Sequence, residues 1–115
     1  QGGMRRSHST NTLVLISDYT GKNIYINKWH GEILHFSGMG QEGDQALNKF
    51  QNKTLAESAN NGIEVHLFEK FEDKKYIYAG KVKLVSEPYT QIEKDIKGQD
   101  RIIYRFPLKL INSDI

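Results

Sequence analysis

Apolar and polar positions alternate along several short segments of this chain, and the pattern predicts a domain built mainly of strands. Residues 13–16 form a short apolar run, which predicts a buried strand followed by a turn. Residues 64–71 alternate strongly, residues 72–75 have the composition of a hairpin turn, and residues 76–85 form the expected return strand. Further strands are predicted at residues 24–26, 32–37 and 101–111.

One stretch between these strands has the pattern of a helix. Residues 46–59 place Leu47, Phe50 and Leu55 at helical spacing, and Gly62 is the expected stop. Asp44 is the expected cap in front of this helix, which residues 51–52 could divide into two. Six strands with one helical insertion predict an α+β fold, a small curved β-sheet or barrel with one or two short helices.

A glycine-rich segment, residues 36–45, lies between a strand pattern and the helical one. Glycine permits positive φ angles and a close approach of another backbone to its N–H groups, so this segment is a candidate loop for an anionic ligand such as a nucleic-acid phosphate. A second segment, residues 2–7, combines two glycines with Arg5 and Arg6 ahead of the first apolar run. Both segments are candidates for binding.

Composition limits the other possibilities. A chain of 115 residues with 37% apolar and 26% charged residues fits one ordinary folded domain. The absence of cysteine excludes a disulfide framework, a thiolate metal site and a cysteine nucleophile, and it is compatible with a reducing cytoplasm. No run approaches the roughly 20 apolar residues of a membrane span, so no membrane partner is expected. No metal site, catalytic triad or cofactor motif is marked, and none is expected.

A group of motifs, taken together, resembles the sulfur-binding domain of McrA-type HNH restriction endonucleases, over about residues 2–110. The motifs are Gly3-Met4-Arg5-Arg6-Ser7, Leu34-His35-Phe36-Ser37-Gly38-Met39-Gly40, Gly43-Asp44-Gln45, Gln51-Asn52-Lys53-Thr54-Leu55-Ala56, Val65-His66-Leu67-Phe68 and Glu87-Pro88-Tyr89. A broader likeness to SRA domains, which read modified cytosine, rests on Gly38, Gly40, Asp44, Gln45, Asn52, Leu55, Tyr78 and Gly80.

The resemblance implies a PUA/SRA-like curved sheet that binds double-stranded DNA carrying a phosphorothioate linkage. It implies a single, noncatalytic DNA sulfur-binding domain over residues 1–115, in a prokaryotic cytoplasm. The chain begins with glutamine and lacks a His-Asn-His constellation, so we expect a fragment of a longer nuclease whose tethered HNH domain lies on the N- or C-terminal side.

Sulfur recognition has its own chemical requirement, because sulfur is larger, softer and less hydrated than the phosphate oxygen it replaces. Pro88 and the ring of Tyr89 are the candidate sulfur-binding residues, since an apolar dent would desolvate oxygen without offering it a donor. The family builds its pocket around a tyrosine-proline pair, and here the order is Pro-Tyr. The same two residues are also compatible with a simple strand-ending turn.

The remaining candidates are expected to contact DNA. Arg5 and Arg6 can bind guanine or phosphate bidentately, and Ser7 can add a hydrogen bond to phosphate. The other predicted DNA-binding residues are Lys28, His35, Ser37, Gly38, Met39, Gly40, Gln41 and Gln45. A frayed basic terminus at Arg5 and Arg6 and a core position for His35 stay open as structural alternatives.

Three competing functions also stay open. The nearest is an SRA-like reader of a flipped modified cytosine, with Tyr19, Phe36, Tyr76 or Tyr78 stacking on the base. A small hydrolase using His35 with Asp44 and a protein-interaction domain are the other two.

Overall fold

The computed structural model describes residues 3–111, and within them one open sheet of eight strands forms most of the domain. The strands are β1 (Met4–Ser7), β2 (Thr12–Asp18), β3 (Lys28–His30), β4 (Ile33–Ser37), β5 (Glu64–Glu72), β6 (Lys75–Leu84), β7 (Tyr89–Lys94) and β8 (Asp100–Leu110). A single short helix, α1 (Asn52–Ala56), lies between β4 and β5 in this described part of the chain. The prediction of a mainly β fold with a short helical insertion is confirmed, with eight strands in place of the six predicted.

The strand order is β1-β2-β5-β6-β8-β4-β3, and β7 also pairs with β8. The β2–β5 pair is parallel and the other pairs are antiparallel. A parallel pair needs a long crossover, and here the segment from β3 through α1 supplies it. The glycine-rich loop lies in this crossover, directly after β4.

Alternation along the strands separates a core side from an outer side of the sheet. In β2, Leu13 and Leu15 are fully buried, whereas Val14 and Ile16 are only partly buried on the outer side. The core also takes up side chains from the other strands and from the helix. These are Met4, Leu34, Phe36, Leu55, Ile63, Val65, Leu67, Val82, Phe106 and Leu108.

Strand β8 is central because it pairs with three strands. Residues 100–105 pair with β7, residues 105–109 pair with β4, and residues 108–110 pair with β6. Pro107 lies between the part of β8 that pairs with β7 and the part that pairs with β6. The N–H that proline lacks is therefore not needed for pairing with either strand. Gly80 has a φ of 131° beside a register shift in the β5–β6 pairing, the geometry of a β-bulge.

Several predicted elements are wrong in position or extent. The strand predicted at residues 24–26 lies at Lys28–His30, and the basic segment expected as a loop is strand β1. The polar stretch after Tyr89 contains strand β7, which sequence alternation did not reveal because five of its six residues are exposed. The helix is five residues long rather than fourteen, since Phe50 adopts a left-handed φ of 55° just before it.

Two buried amides hold the glycine-rich loop against the sheet. The Gln45 side chain donates to the Gly38 carbonyl at 2.7 Å and accepts from the Tyr104 N–H at 2.8 Å. The Asn52 side chain accepts from the Met39 N–H at 2.7 Å and donates to the Ala46 carbonyl at 3.0 Å. These bonds fix the path of the loop from β4 to α1.

We predict that Asn52→Ala lowers the free energy of unfolding by about 2–4 kcal/mol, because it leaves buried loop groups without partners. Urea denaturation followed by circular dichroism measures this loss. Asn48→Ala, at an exposed position nearby, is the matched control and should change stability by no more than about 0.5 kcal/mol. Equal stability of the two variants would contradict the structural role of Asn52.

Candidate nucleic-acid interface

A cleft of about 250 Å³ lies on the outer side of the sheet, where β3, β4, β7 and β8 meet. We call it the histidine cleft. Its lining residues are Ile26, Lys28, His30, His35, Tyr89, Gln91, Glu93 and Arg105. It therefore brings together three of the predicted site residues, Lys28, His35 and Tyr89.

Strand register explains why these side chains meet. Leu34 and Phe36 of β4 face the core, so His35 between them faces outward. Lys28 of β3 lies opposite His35, and Tyr89 of β7 lies opposite Arg105 of β8. The cleft is thus a consequence of ordinary pleating across four neighbouring strands.

Aromatic rings make one wall of the histidine cleft. The Nδ1 atom of His35 lies 2.7 Å from the Tyr89 hydroxyl, at hydrogen-bond distance. The ring of His30 lies 4.9 Å from that of His35, between centroids. Burial lowers the pKa of His35 below its usual value of 6.5, and the nearby His30 and Arg105 lower it further. The His35 ring is therefore neutral at neutral pH.

Charge in the cleft is divided between a paired arginine and an exposed lysine. The buried Arg105 guanidinium donates to the Glu93 carboxylate and the Ile26 carbonyl, and its Nε donates to Gln91 Oε1 at 2.8 Å. Glu93 thus offsets the charge of Arg105. Lys28 is exposed at the rim, so an incoming anion meets its ammonium group first.

The glycine-rich loop does not present its backbone N–H groups as expected. The N–H groups of Gly38, Met39 and Gly40 donate to Tyr104 O, Asn52 Oδ1 and the Tyr25 hydroxyl. The N–H of Gln45 likewise donates to Ile102 O. Because these four N–H groups already donate to protein acceptors, they are not available to bind a phosphate. At these positions the loop has a structural role.

The side chains of the loop divide into buried and accessible ones. Ser37 and Gln45 are buried, and Ser37 Oγ donates to the Gly38 carbonyl at 3.1 Å. Met39, Gly40 and Gln41 line a second cavity, of about 380 Å³, which we call the loop cavity. It is completed by Tyr25, Glu42, Asp44, Gln45, Ala46, Lys49 and Phe50.

The basic residues of β1 lie elsewhere on the sheet. Arg5 is exposed opposite Val14 on the outer side of β2. Arg6 donates to Asn11 Oδ1 at 2.9 Å and to the Ser7 carbonyl, and Ser7 Oγ accepts from Thr10 at 2.8 Å. These residues belong to an ordered hairpin, and β1 lies at the opposite end of the strand order from β3.

Pro88 and Tyr89 do not share a pocket. Tyr89 lines the histidine cleft, whereas Pro88 lines a separate cavity of about 300 Å³ with residues of α1 and the preceding turn. The prediction that both residues line one sulfur-binding dent is therefore wrong, because they line different cavities. In the histidine cleft the ring of Tyr89 lies 5.8 Å from that of His35, between centroids.

The predicted acid–base pair of His35 with Asp44 is likewise not formed. His35 bonds to Tyr89, and Asp44 Oδ1 accepts from the Ile102 N–H at 2.7 Å instead of capping a helix. Within residues 3–111, no group of three or more histidine or acidic side chains could hold a metal ion. No helix in the same residues is long and apolar enough to cross a membrane.

The aromatic residues proposed for a flipped base occupy different environments. Phe36 is 1% exposed in the core, and the hydroxyl of the half-buried Tyr19 donates to Glu69 at 2.7 Å. Burial raises the pKa of Tyr19 to about 12. Tyr76 and Tyr78 are exposed on the outer side of β6.

Several residues that shape these cavities were not predicted from the sequence as site residues. His30, Gln91 and Arg105 join the histidine cleft through cross-strand register, which no local motif encodes. Phe50 was assigned to a helix face but is 64% exposed with a left-handed backbone. A bulky residue in that conformation is uncommon.

An open sheet with a glycine-rich loop held by buried amides, followed by a short Asn-containing helix, is the framework of this domain. A family model described as "ScoMcrA-like, SRA domain" matches residues 1–115, and the chain belongs to this family. The resemblance to the McrA-type domain is thereby confirmed. Comparison with curated protein sequences gives no significant match.

Solved structures share the fold at low sequence identity. The sulfur-binding domain and SRA domain of ScoMcrA, complexed with phosphorothioated DNA, is 18% identical with a TM-score of 0.79, covering 98% of this chain and 34% of that chain. SUVH5 SRA in complex with fully methylated CG DNA is 20% identical with a TM-score of 0.66, covering 100% and 77%. The modification-dependent TagI restriction endonuclease is 16% identical with a TM-score of 0.66, covering 98% and 43%.

We predict that His35 makes stability depend on pH. Because folding lowers its pKa below 6.5, the unfolded chain takes up a proton first as the pH falls. The free energy of unfolding should therefore decrease as the pH is lowered through 6.5 toward the folded-state pKa. Urea denaturation across this range should show a weaker decrease for His35→Gln. His8→Gln, in an exposed turn, controls for removing one histidine, and an unchanged decrease in His35→Gln would refute the assignment.

Proposed function

We propose that this domain binds modified double-stranded DNA, and that it recognises a phosphorothioate linkage in the histidine cleft. The observation that carries the proposal is the combination in one cleft of uncharged rings, from His35 and Tyr89, with the exposed ammonium of Lys28. A phosphorothioate has matching features, because it keeps the negative charge of phosphate and adds a soft, weakly hydrated sulfur.

The rings favour sulfur over oxygen by desolvation. A phosphate oxygen placed against Tyr89 and the neutral His35 would lose water and gain little in return, whereas sulfur loses less. Lys28 attracts either backbone equally and so supplies affinity rather than selectivity. Discrimination of about 1–3 kcal/mol is reasonable for such a contact, by analogy with hydrophobic pockets that distinguish one methylene.

The comparisons support the wider biological setting. The ScoMcrA structure that shares this fold contains phosphorothioated DNA, and this chain corresponds to 34% of it. We propose that the domain itself is a noncatalytic reader within a longer restriction endonuclease, with a tethered HNH domain that cuts the DNA. A prokaryotic cytoplasm is the matching compartment. Arg5, Arg6, Ser7, Met39 and Gln41 stay as predicted DNA contacts outside the cleft.

A second candidate function is recognition of a modified cytosine. It is favoured by membership of an SRA family and by the shared fold with SUVH5 SRA bound to fully methylated CG DNA. The loop cavity offers Phe50 and Met39 as apolar walls, and Asp44 as an acceptor for the amino group of cytosine. In this reading the modification lies on the base, and the backbone is ordinary phosphate.

We predict that Tyr89→Ala reduces the preference for phosphorothioate over plain duplex about tenfold, because sulfur loses its apolar contact. Fluorescence anisotropy at one salt concentration should compare four duplexes of one sequence: plain, with one stereodefined phosphorothioate, with methylated cytosine, and with both. Ile92→Ala is the matched control, since this exposed residue lies on β7 with its side chain directed away from the cleft.

The two candidates give different patterns in this experiment. Sulfur recognition predicts a preference that follows the backbone modification and falls in Tyr89→Ala but not in Ile92→Ala. A preference that follows the methyl group, survives Tyr89→Ala and is lost in Phe50→Ala would replace the first proposal with the second. Equal loss of binding to plain and sulfur duplexes in Tyr89→Ala would contradict a selective role for this ring.

A further inference from the structure

A second surface stands apart from the histidine cleft, on the outer side of β1, β2, β5 and β6. We call it the aromatic face. It is formed by Arg5, Val14, Ile16, His66, Phe68, Lys70, Tyr76, Tyr78 and Lys81. A shallow cavity of about 400 Å³ lies on it, lined by Arg5, Val14, Ile16, Phe68 and Tyr76. The histidine cleft uses none of these strands.

Strand register arranges this face in rows that cross the strands. Ile16, Phe68 and Tyr78 lie opposite one another on β2, β5 and β6 and form an apolar row. The next row contains Arg5, Val14, His66 and Lys81 on β1, β2, β5 and β6. Neighbouring strands are about 4.8 Å apart, so each row is a continuous strip.

The aromatic rings are accessible and mutually supported. Tyr76 is 53% exposed and Tyr78 is 50% exposed. The rings of Phe68 and Tyr78 lie 5.1 Å apart between centroids, and the Lys70 ammonium lies 5.5 Å from the centroid of the Tyr76 ring. Tyr78 is also held by a 2.8 Å contact between its hydroxyl and His66 Nδ1. Such rings lose little conformational freedom when a planar ligand stacks on them.

Charges surround the rings on two sides. Arg5 and Lys81 stand at the two ends of the row next to the aromatic one, and Lys70 stands on the other side. Glu64 pairs with Lys81 at 3.3 Å. The largely buried Lys70 ammonium lies 3.7 Å from Asp18, which is opposite it on β2, and 3.7 Å from Asp73. Cations next to exposed rings fit a polyanion with planar groups better than they fit an apolar protein partner.

We propose that the aromatic face binds single-stranded nucleic acid, with bases stacked on Phe68, Tyr76 and Tyr78 and the backbone passing Arg5 and Lys81. Stacking on rings of a sheet with nearby cations is a general means of holding unpaired strands. This activity is separate from duplex recognition in the histidine cleft. It would let the domain hold a single strand beside the duplex it reads.

The test uses fluorescence anisotropy of a labelled 12-nucleotide oligothymidine with the full chain. The double variant Tyr76→Ala, Tyr78→Ala should weaken binding at least about tenfold, since each stacked base contributes substantially. Ile77→Ala is the matched control, because Ile77 is 56% exposed on the same strand but points to the other side. Thermal unfolding of each variant verifies that it is folded. The single variant Arg5→Ala, which keeps Tyr76 and Tyr78, should reduce the salt dependence of oligothymidine binding.

Three results would overturn this proposal: no binding of the oligonucleotide by the wild type, equal loss in Ile77→Ala, or normal binding by the folded double variant. A concentration-dependent dimer that the double variant abolishes, without oligonucleotide binding, would assign the face to a second copy of the chain. Tyr89→Ala should keep oligothymidine binding, whereas Tyr76→Ala, Tyr78→Ala should keep the preference for modified duplex. Failure of one proposal is thereby distinguished from failure of the other.

Discussion

In the pair of strands β4 and β8, Phe36 lies opposite Phe106 and Leu34 lies opposite Leu108, and all four side chains are buried. His35 and Arg105, on the alternate positions of the same strands, face the histidine cleft. The pairing register of β4 and β8 therefore places the core on one face of these strands and the candidate site on the other. A slip of one residue would turn His35 and Arg105 toward the apolar core and the phenylalanines away from it, so burial of the core holds the cleft in place.

The same pair also determines where the glycine-rich loop begins. After Ser37 the chain leaves β4, and Gln45 and Asn52 return it to the sheet through side-chain bonds that satisfy its peptide groups. The loop is held by these side-chain amides and not by a regular helix. Met39, Gln41 and Phe50 therefore line the loop cavity. The domain thus has two neighbouring cavities with different chemistry, one lined by imidazole rings and one by loop residues.

Strands are predictable from this sequence where one side of the strand is buried. Residues 64–71 alternate clearly because β5 packs one side on the core, and residues 76–85 were predicted as its return strand from the hairpin turn between them. Strand β7 was not predicted, because an exposed edge strand has no alternation to reveal it. The predicted length of the helix was wrong, because no sequence pattern marks the left-handed backbone of Phe50. Of the site, Lys28, His35 and Tyr89 were predicted individually, but their meeting with His30 and Arg105 depends on pairing between strands far apart in sequence. The adjacency of Pro88 and Tyr89 was also misleading, because Tyr89 is the first residue of β7 and lines the histidine cleft, whereas Pro88 precedes the strand and lines another cavity.

The most direct test of the account is a ¹H–¹⁵N correlation spectrum of the labelled chain during titration with a phosphorothioate duplex and with its plain counterpart. The account predicts that the sulfur duplex selectively shifts the amide signals of Lys28, His30, His35 and Tyr89. Perturbations confined to residues around the loop cavity, or identical shifts with both duplexes, would contradict recognition of sulfur by the histidine cleft.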